Sequence, residues 1–259
     1  MKDIIVAKIK EIEKEKNIKV LYACEAGSRA WGVHSIDSDY DVRFIYVHPT
    51  DYYLSIDPIG IGKKRDTIDF PIHSSLDLHG WELTKALKLY RKSNPGLLEW
   101  LHSPIIYFES PSIMKRLIDL EAEVFQPMPC VHHYIHMAKN NLRKIDESPE
   151  INIKLYFQVV RPILMAKWII IYSTFPSIHF TSLVHQLSLP ENAVIEVLIK
   201  IKTKQLSESN LPVGELQSFI TNEIDFLEQS VPQLKTKQIR VTKKLDSLFR
   251  VTLKEIWRN

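Results

Sequence analysis

The chain has 259 residues, 45% of them hydrophobic and 25% charged, with 7 glycines and 14 prolines. That is the composition of a soluble globular protein with room for one large or two ordinary domains, and it excludes long flexible linkers. A formal net charge of +3 is too small to indicate nucleic-acid binding by itself, and the two cysteines, Cys24 and Cys130, form neither a disulfide framework nor a CxxC motif. No signal peptide is evident at the start, and the most apolar stretch, Ile163 to Phe175, contains Lys167 and is too short to cross a bilayer. A cytoplasmic protein without membrane association is expected.

In chain order, Ile5, Ile9 and Ile12 recur at helical spacing and predict a helix over residues 2–17, with Asn17 as its stop. Ile18 to Cys24 reads as a strand. It runs into Glu25-Ala26-Gly27-Ser28-Arg29-Ala30-Trp31-Gly32, a tight turn followed by a short helical segment. After a polar connection over 33–40, Asp41 to His48 is the strongest strand signal in the chain, ended by Pro49. Residues 51–66 read as irregular or edge strand, and Ile68 to Leu78 as one or two short strands. From Gly80 the period becomes helical through Leu83, Ala86, Leu87 and Tyr90. Ser93-Asn94-Pro95 breaks that helix and starts another.

Beyond residue 110 the pattern is almost entirely helical, with candidate helices at 111–125, 130–147, 151–174, 190–200, 213–229 and 238–257. Pro162 is expected to kink or divide the third of these. The expected fold class is α+β: a small catalytic module with a mixed sheet and flanking helices over 1–110, then an all-helical domain over 111–259.

The chemistry concentrates in Gly27-Ser28 and Ser38-Asp39-Tyr40-Asp41. Asp39 and Asp41 stand two apart at a strand start, so their carboxylates share a face and repel each other without a positive partner. A divalent cation resolves that conflict, and magnesium prefers carboxylate and phosphate oxygens. Ser28, beside Gly27, offers a hydroxyl and a backbone N–H to a phosphate, and Arg29 is placed to neutralise phosphate or to pair with an acid. Either element alone is ordinary turn chemistry; together they are more specific. This reading requires that the two side chains not point apart and not be capped by the chain's own lysines and arginines with no opening left for a nucleotide.

Gly27-Ser28-Arg29-Ala30-Trp31-Gly32 followed by Asp37-Ser38-Asp39-Tyr40-Asp41-Val42-Arg43 resembles the GS…DxD signature of the DNA polymerase beta-like nucleotidyltransferase superfamily. Within it, the chain is most similar to the bacterial and phage group that includes RNA-repair-pathway-associated proteins. Leu76 to Leu87 and Ser93 to Pro104 are further matching blocks. The resemblance covers residues 18–108 well and the helical part more loosely through Lys154–Trp168. It implies transfer of a nucleoside monophosphate from a nucleoside triphosphate to a hydroxyl, with Mg²⁺, or Mn²⁺ in its place, held by Asp39, Asp41 and a third carboxylate. Asp77, in the Leu-Asp-Leu block, is the choice for that third acid, and Asp69 is its rival. The resemblance also raises interest in Asn94 and in Lys154 and Arg161 as nucleotide contacts, although Asn94 before Pro95 is also a good helix cap. Arg43 shares the face of the aspartates, where it either contacts phosphate or neutralises the acids. RNA is the favoured acceptor, helped by eight basic residues between Lys235 and Asn259; a solvated final helix explains those cations equally. The alternatives are a non-catalytic binding or regulatory module of the same fold and a protein-modifying nucleotidyltransferase of toxin–antitoxin type.

His132, His133 and His136 share a helix face, but no cysteine or carboxylate accompanies them at ligand spacing, so an ordinary helix surface is expected there. Neither an HExxH motif nor a GxxxxGK[ST] loop is present, which argues against a zincin protease and a P-loop kinase.

Overall fold

The computed structural model describes residues 1–56, 66–71, 75–147, 150–235 and 240–257. Residues 57–65 of the region expected to be irregular, and Lys237 and Arg258 of the basic C-terminal stretch, lie outside the described residues.

The chain opens with α1 (Lys2–Lys16), which ends at Asn17 in the left-handed region with φ 48°. Asparagine tolerates that conformation, so the expected stop is observed. Then follow β1 (Lys19–Glu25), the single turn α2 (Gly27–Ala30), β2 (Tyr40–Val47), α3 (Thr50–Tyr53), β3 (Thr67–Pro71) and β4 (Leu76–Glu82). Next come α4 (Leu83–Arg91), α5 (Pro95–Leu101), β5 (Ile106–Glu109) and α6 (Pro111–Val124). The remainder is α7 (Pro127–Asp146), α8 (Ile153–Tyr172), α9 (Phe180–Leu187), α10 (Asn192–Lys202), α11 (Val213–Ser230) and α12 (Thr242–Ile256), with short 3₁₀ turns before and after α11.

The described strands form one mixed sheet in the order β3-β4-β2-β1-β5, with β2 and β4 parallel and the other neighbours antiparallel. Val42, Phe44 and Tyr46 of β2 join Val20 and Ala23 of β1 and Leu78 of β4 against Ile5, Ile9 and Ile12 of α1. Alternation along β2 therefore sends Asp41 and Arg43 to the opposite face. The fold is α+β, as the sequence predicts.

Several local expectations are corrected. Residues 50–53 form a helical turn, at the start of the stretch 51–66 expected to be irregular or edge strand. β4 continues past Gly80 to Glu82, where the Glu82 carboxylate caps α4 by accepting from the N–H groups of Thr84 and Lys85. Gly80 belongs in the strand because the Phe44 ring lies against it; a Cβ there would come within 2.3 Å of that ring. β5 was not expected. It is an exposed edge strand with no alternation to announce it. α9 was not expected either, although Phe180, Leu183, Val184 and Leu187 carry the helical repeat. Pro162 does not divide α8. Val159, Val160, Ile163, Leu164, Met165 and Ala166 around it are all buried. Several apolar side chains at about 1.5–3 kcal/mol each outweigh a proline cost of about 3 kcal/mol.

The described chain divides into two compact units. One comprises Met1–Arg29, Asp39–Phe125 and Gln238–Asn259; the other comprises Ala30–Ser38 and Gln126–Lys237. These bounds differ from a cut at residue 110, because α6 and α12 belong with the sheet. Arg116 of α6 donates to Glu255 of α12 at 2.6 and 3.0 Å, and Lys244 of α12 reaches Glu123 at 2.6 Å. In the helical unit α8 packs on α7 and α11. By length and hydropathy α8 is apolar enough to cross a membrane, yet 61% of that window is buried within the protein, as in a core helix.

Candidate active site

The parallel register of β2 and β4 sets Asp41 directly opposite Asp77 and Arg43 opposite His79. Opposed residues in a sheet share a face, so Asp41, Arg43, Asp77 and His79 form one polar patch on the side away from α1. Two carboxylates in that relation repel each other, and the structure answers with Arg43. Its Nη2 donates to Asp41 Oδ1 at 3.0 Å and its Nη1 to Asp77 Oδ2 at 2.8 Å. The Arg43 side chain is 19% exposed, while the Asp77 side chain is 52% exposed. Asp39 lies one residue before β2 and is exposed, so strand alternation does not govern it. Its charge is nonetheless felt. Burial raises the pKa of Asp41, Arg43 opposes that rise, and the charges of Asp77 and then Asp39 add to it.

Gly27 explains how the Asp41 carboxylate fits. It has φ +60°, and a Cβ built on it would sit 2.0 Å from Asp41 Oδ2. The glycine thus permits both the turn and the close approach of an acid to the backbone.

Glu25, a site residue outside the Gly-Ser and Asp-x-Asp motifs, is fully buried at the end of β1. Its Oε1 accepts the Asp41 N–H at 2.8 Å, and its Oε2 accepts from the Tyr107 hydroxyl. Burial raises its pKa, against the pull of those donors. Glu25 therefore fixes the first rung of β2 beside Asp41. An acid two residues before the Gly-Ser pair was the available signal.

Asp69 stands opposite His79 on β3, one strand farther from β2, and its Oδ1 pairs with His79 Nδ1. Asp77 is the neighbour of Asp41; Asp69 is not. Beyond His79 on the same face, Trp81 stacks on Trp100 at 3.7 Å between ring centres.

Among the other expected site residues, Ser28 is half-buried in α2. Arg29 lies over the Tyr40 ring at 3.7 Å, and its Nε donates to the Asp39 carbonyl at 3.1 Å. It ties the Gly-Ser turn to the chain entering β2. Asn94 acts as a cap, its Oδ1 accepting the Leu97 N–H at 3.1 Å. Lys154 and Arg161 belong to the helical unit. Lys154 is exposed at the start of α8, and Arg161 is buried with its guanidinium 3.9 Å from the centre of the Trp31 ring. Lys167, expected on the same basic stripe, is instead paired with Glu223 at 2.5 Å. His132, His133 and His136 line an open groove of about 840 Å³ between α7 and α11, together with Lys139, Asp225 and Glu228.

Asp39, Asp41 and Asp77 carry only carboxylate oxygens, the donors magnesium selects, and Asp41, raised in pKa chiefly by burial, also feels the charges of Asp77 and Asp39. The residues fit the ion in chemistry. Among the described residues no three such groups are disposed to hold a metal as they stand, and Arg43 takes one oxygen of Asp41 and one of Asp77.

Over its whole length the chain is 41% identical, across 262 aligned positions covering 99% of the relative, to the uncharacterized protein YcgL of Bacillus subtilis strain 168. A nucleotidyltransferase-like protein from Exiguobacterium sibiricum 255-15, solved at 1.90 Å, is similar at 11% identity and a TM-score of 0.31, covering 98% of this chain and 81% of that one. A likeness that slight carries no argument. Residues 1–251 match the RNA repair pathway DNA polymerase beta family, and the chain belongs to that family.

Proposed function

We propose that this protein is a metal-dependent nucleotidyltransferase that moves a nucleoside monophosphate from a nucleoside triphosphate to an acceptor hydroxyl, with an RNA end as the acceptor. One observation carries the reading: Asp41 and Asp77 face each other across two parallel strands, with the charge of Asp39 in range and a single arginine between them. A structural ion pair needs one acid for one base; this cluster holds a surplus of acid.

Asp39, Asp41 and Asp77 would hold magnesium, or manganese in its place. When bound, the ion would supply positive charge against the negative charge that builds on the triphosphate oxygens. The chain's own groups do the rest. Gly27 lets the backbone come close, and Ser28 offers its hydroxyl and N–H to the phosphates. Asp77 Oδ1, the oxygen not engaged by Arg43, takes the proton of the attacking hydroxyl. That hydroxyl bonds to the α-phosphorus as pyrophosphate departs. Alignment and charge stabilisation account for the rate, without a covalent enzyme intermediate.

The test is incubation with each labelled nucleoside triphosphate, magnesium and a panel of RNA, DNA and protein acceptors. Label should move to RNA, and Asp39→Asn or Asp41→Asn should each reduce transfer roughly a thousandfold with the circular dichroism spectrum unchanged. Label on a protein acceptor alone would select the protein-modifying alternative. Undiminished transfer in both variants would remove the mechanism.

A further inference from the structure

We propose that Arg43 is a built-in counter-ion that holds Asp41 and Asp77 together before the divalent cation binds, and that it then passes to the phosphates of the nucleoside triphosphate. The proposal rests on the nucleotidyltransferase reading above and concerns how that site is kept ready.

Arg43 lies on the site face of β2, opposite His79 in the register, with its side chain mostly enclosed. Nη1 donates to Asp77 Oδ2 and also, at 3.1 Å, to the Val42 carbonyl; Nη2 donates to Asp41 Oδ1. One guanidinium thus takes one oxygen from each of two acids on different strands. Asp41 Oδ2, packed against Gly27, and Asp77 Oδ1 are outside those bonds. Neighbouring groups do not compete for the arginine, because His79 is paired with Asp69 and Glu25 with Tyr107 and the Asp41 N–H.

Three physical points turn this geometry into an exchange. A guanidinium keeps its proton at every accessible pH, so it leaves two carboxylates only when another cation replaces it. Asp41 and Asp77 bring two formal negative charges to one guanidinium, which takes a single oxygen from each, so a divalent ion matches the pair more fully than Arg43 does. Once freed, a planar five-donor group fits phosphate oxygens as it fits carboxylates. The arginine would therefore neutralise the acids of the empty site and the phosphates of the filled one.

The experiment measures Mn²⁺ binding to the full chain by the loss of the free-ion electron paramagnetic resonance signal, together with nucleoside triphosphate affinity and thermal unfolding. Arg43→Met should bind Mn²⁺ about tenfold more tightly than the unaltered protein, because no guanidinium has to be displaced. It should bind the triphosphate about tenfold more weakly in the presence of metal. Its unfolding midpoint in chelator should fall and be regained on adding Mn²⁺. Arg43→Lys keeps the charge but not the fork; it should fold normally and lie between the two in Mn²⁺ affinity. Mn²⁺ binding in Arg43→Met that is unchanged or weaker overturns the exchange, and if that variant does not fold, Arg43→Lys binding Mn²⁺ no more tightly than the unaltered protein does so. Asp41→Asn separates the two levels of argument. If it leaves Mn²⁺ affinity intact, the nucleotidyltransferase reading fails; if it abolishes binding while the arginine variants show no gain, only the exchange fails.

Discussion

Two charged clusters, one in each unit of this protein, are built in opposite ways. In the helical unit, two lysines each meet one acid. Lys167 meets Glu223 with both side chains largely enclosed, at 14% and 12% exposure, and Lys139 meets Glu228 in the open, at 46% and 48%. In the sheet unit, Asp41 and Asp77 share Arg43, and Asp39 adds its charge without a place in the pair. Matched pairs serve the fold. An acid surplus gathered at one end of two parallel strands gains the fold nothing, and the proposed function rests on it.

That contrast can be broken most forcefully in the helical unit. Lys167→Met strands Glu223 in an enclosed setting, where its Oε2 is already without a partner. It should cost about 3 kcal/mol in denaturant unfolding, with catalysis per folded molecule unchanged. Lys139→Ala, at the exposed pair, should cost under about 1 kcal/mol. Equal losses in the two variants would erase the distinction between enclosed and open pairs.

Gly27→Ala probes the other unit. The left-handed backbone alone costs about 1–2 kcal/mol, and the added methyl must displace the Asp41 carboxylate. Nucleotidyl transfer should fall by at least about tenfold beyond the loss of folded protein. If transfer tracked stability alone, the closeness of Gly27 to Asp41 would have no catalytic meaning.

The smallest effect is the dependence on pH. Glu25 is an acid whose folded pKa lies above its ordinary 4.5. Below 4.5 it is protonated in both states and costs nothing. As pH rises from there through the folded value, the unfolded chain gives up its proton first, so stability falls, then levels off. The unfolding midpoint should accordingly decline across the mildly acidic range, and Glu25→Gln should flatten the decline. The amide keeps both contacts if the Tyr107 hydroxyl turns to accept. An unchanged slope in that variant would locate the sensitive acid elsewhere, with Glu82, also raised by burial, as the next choice.

Residue pattern by itself determined the helices with long apolar stripes, the strand at Asp41, the Asn94 and Asn17 caps and the tight turn at Gly27, because these depend on contacts a few residues apart. It did not determine β5, whose exposed residues carry no alternation, or the stopping point of β4, set by the Phe44 ring against Gly80. Nor did spacing distinguish Asp77 from Asp69. Both lie in good strand contexts, and only the parallel pairing of β2 with β4 brings the former beside Asp41 and leaves the latter on His79. Arg43 was legible as a residue on the right face, with two roles open to it. Its bond to two acids 2 and 34 residues away exists only once the strands are laid side by side, since which charges meet is decided by the register of chain segments far apart in sequence.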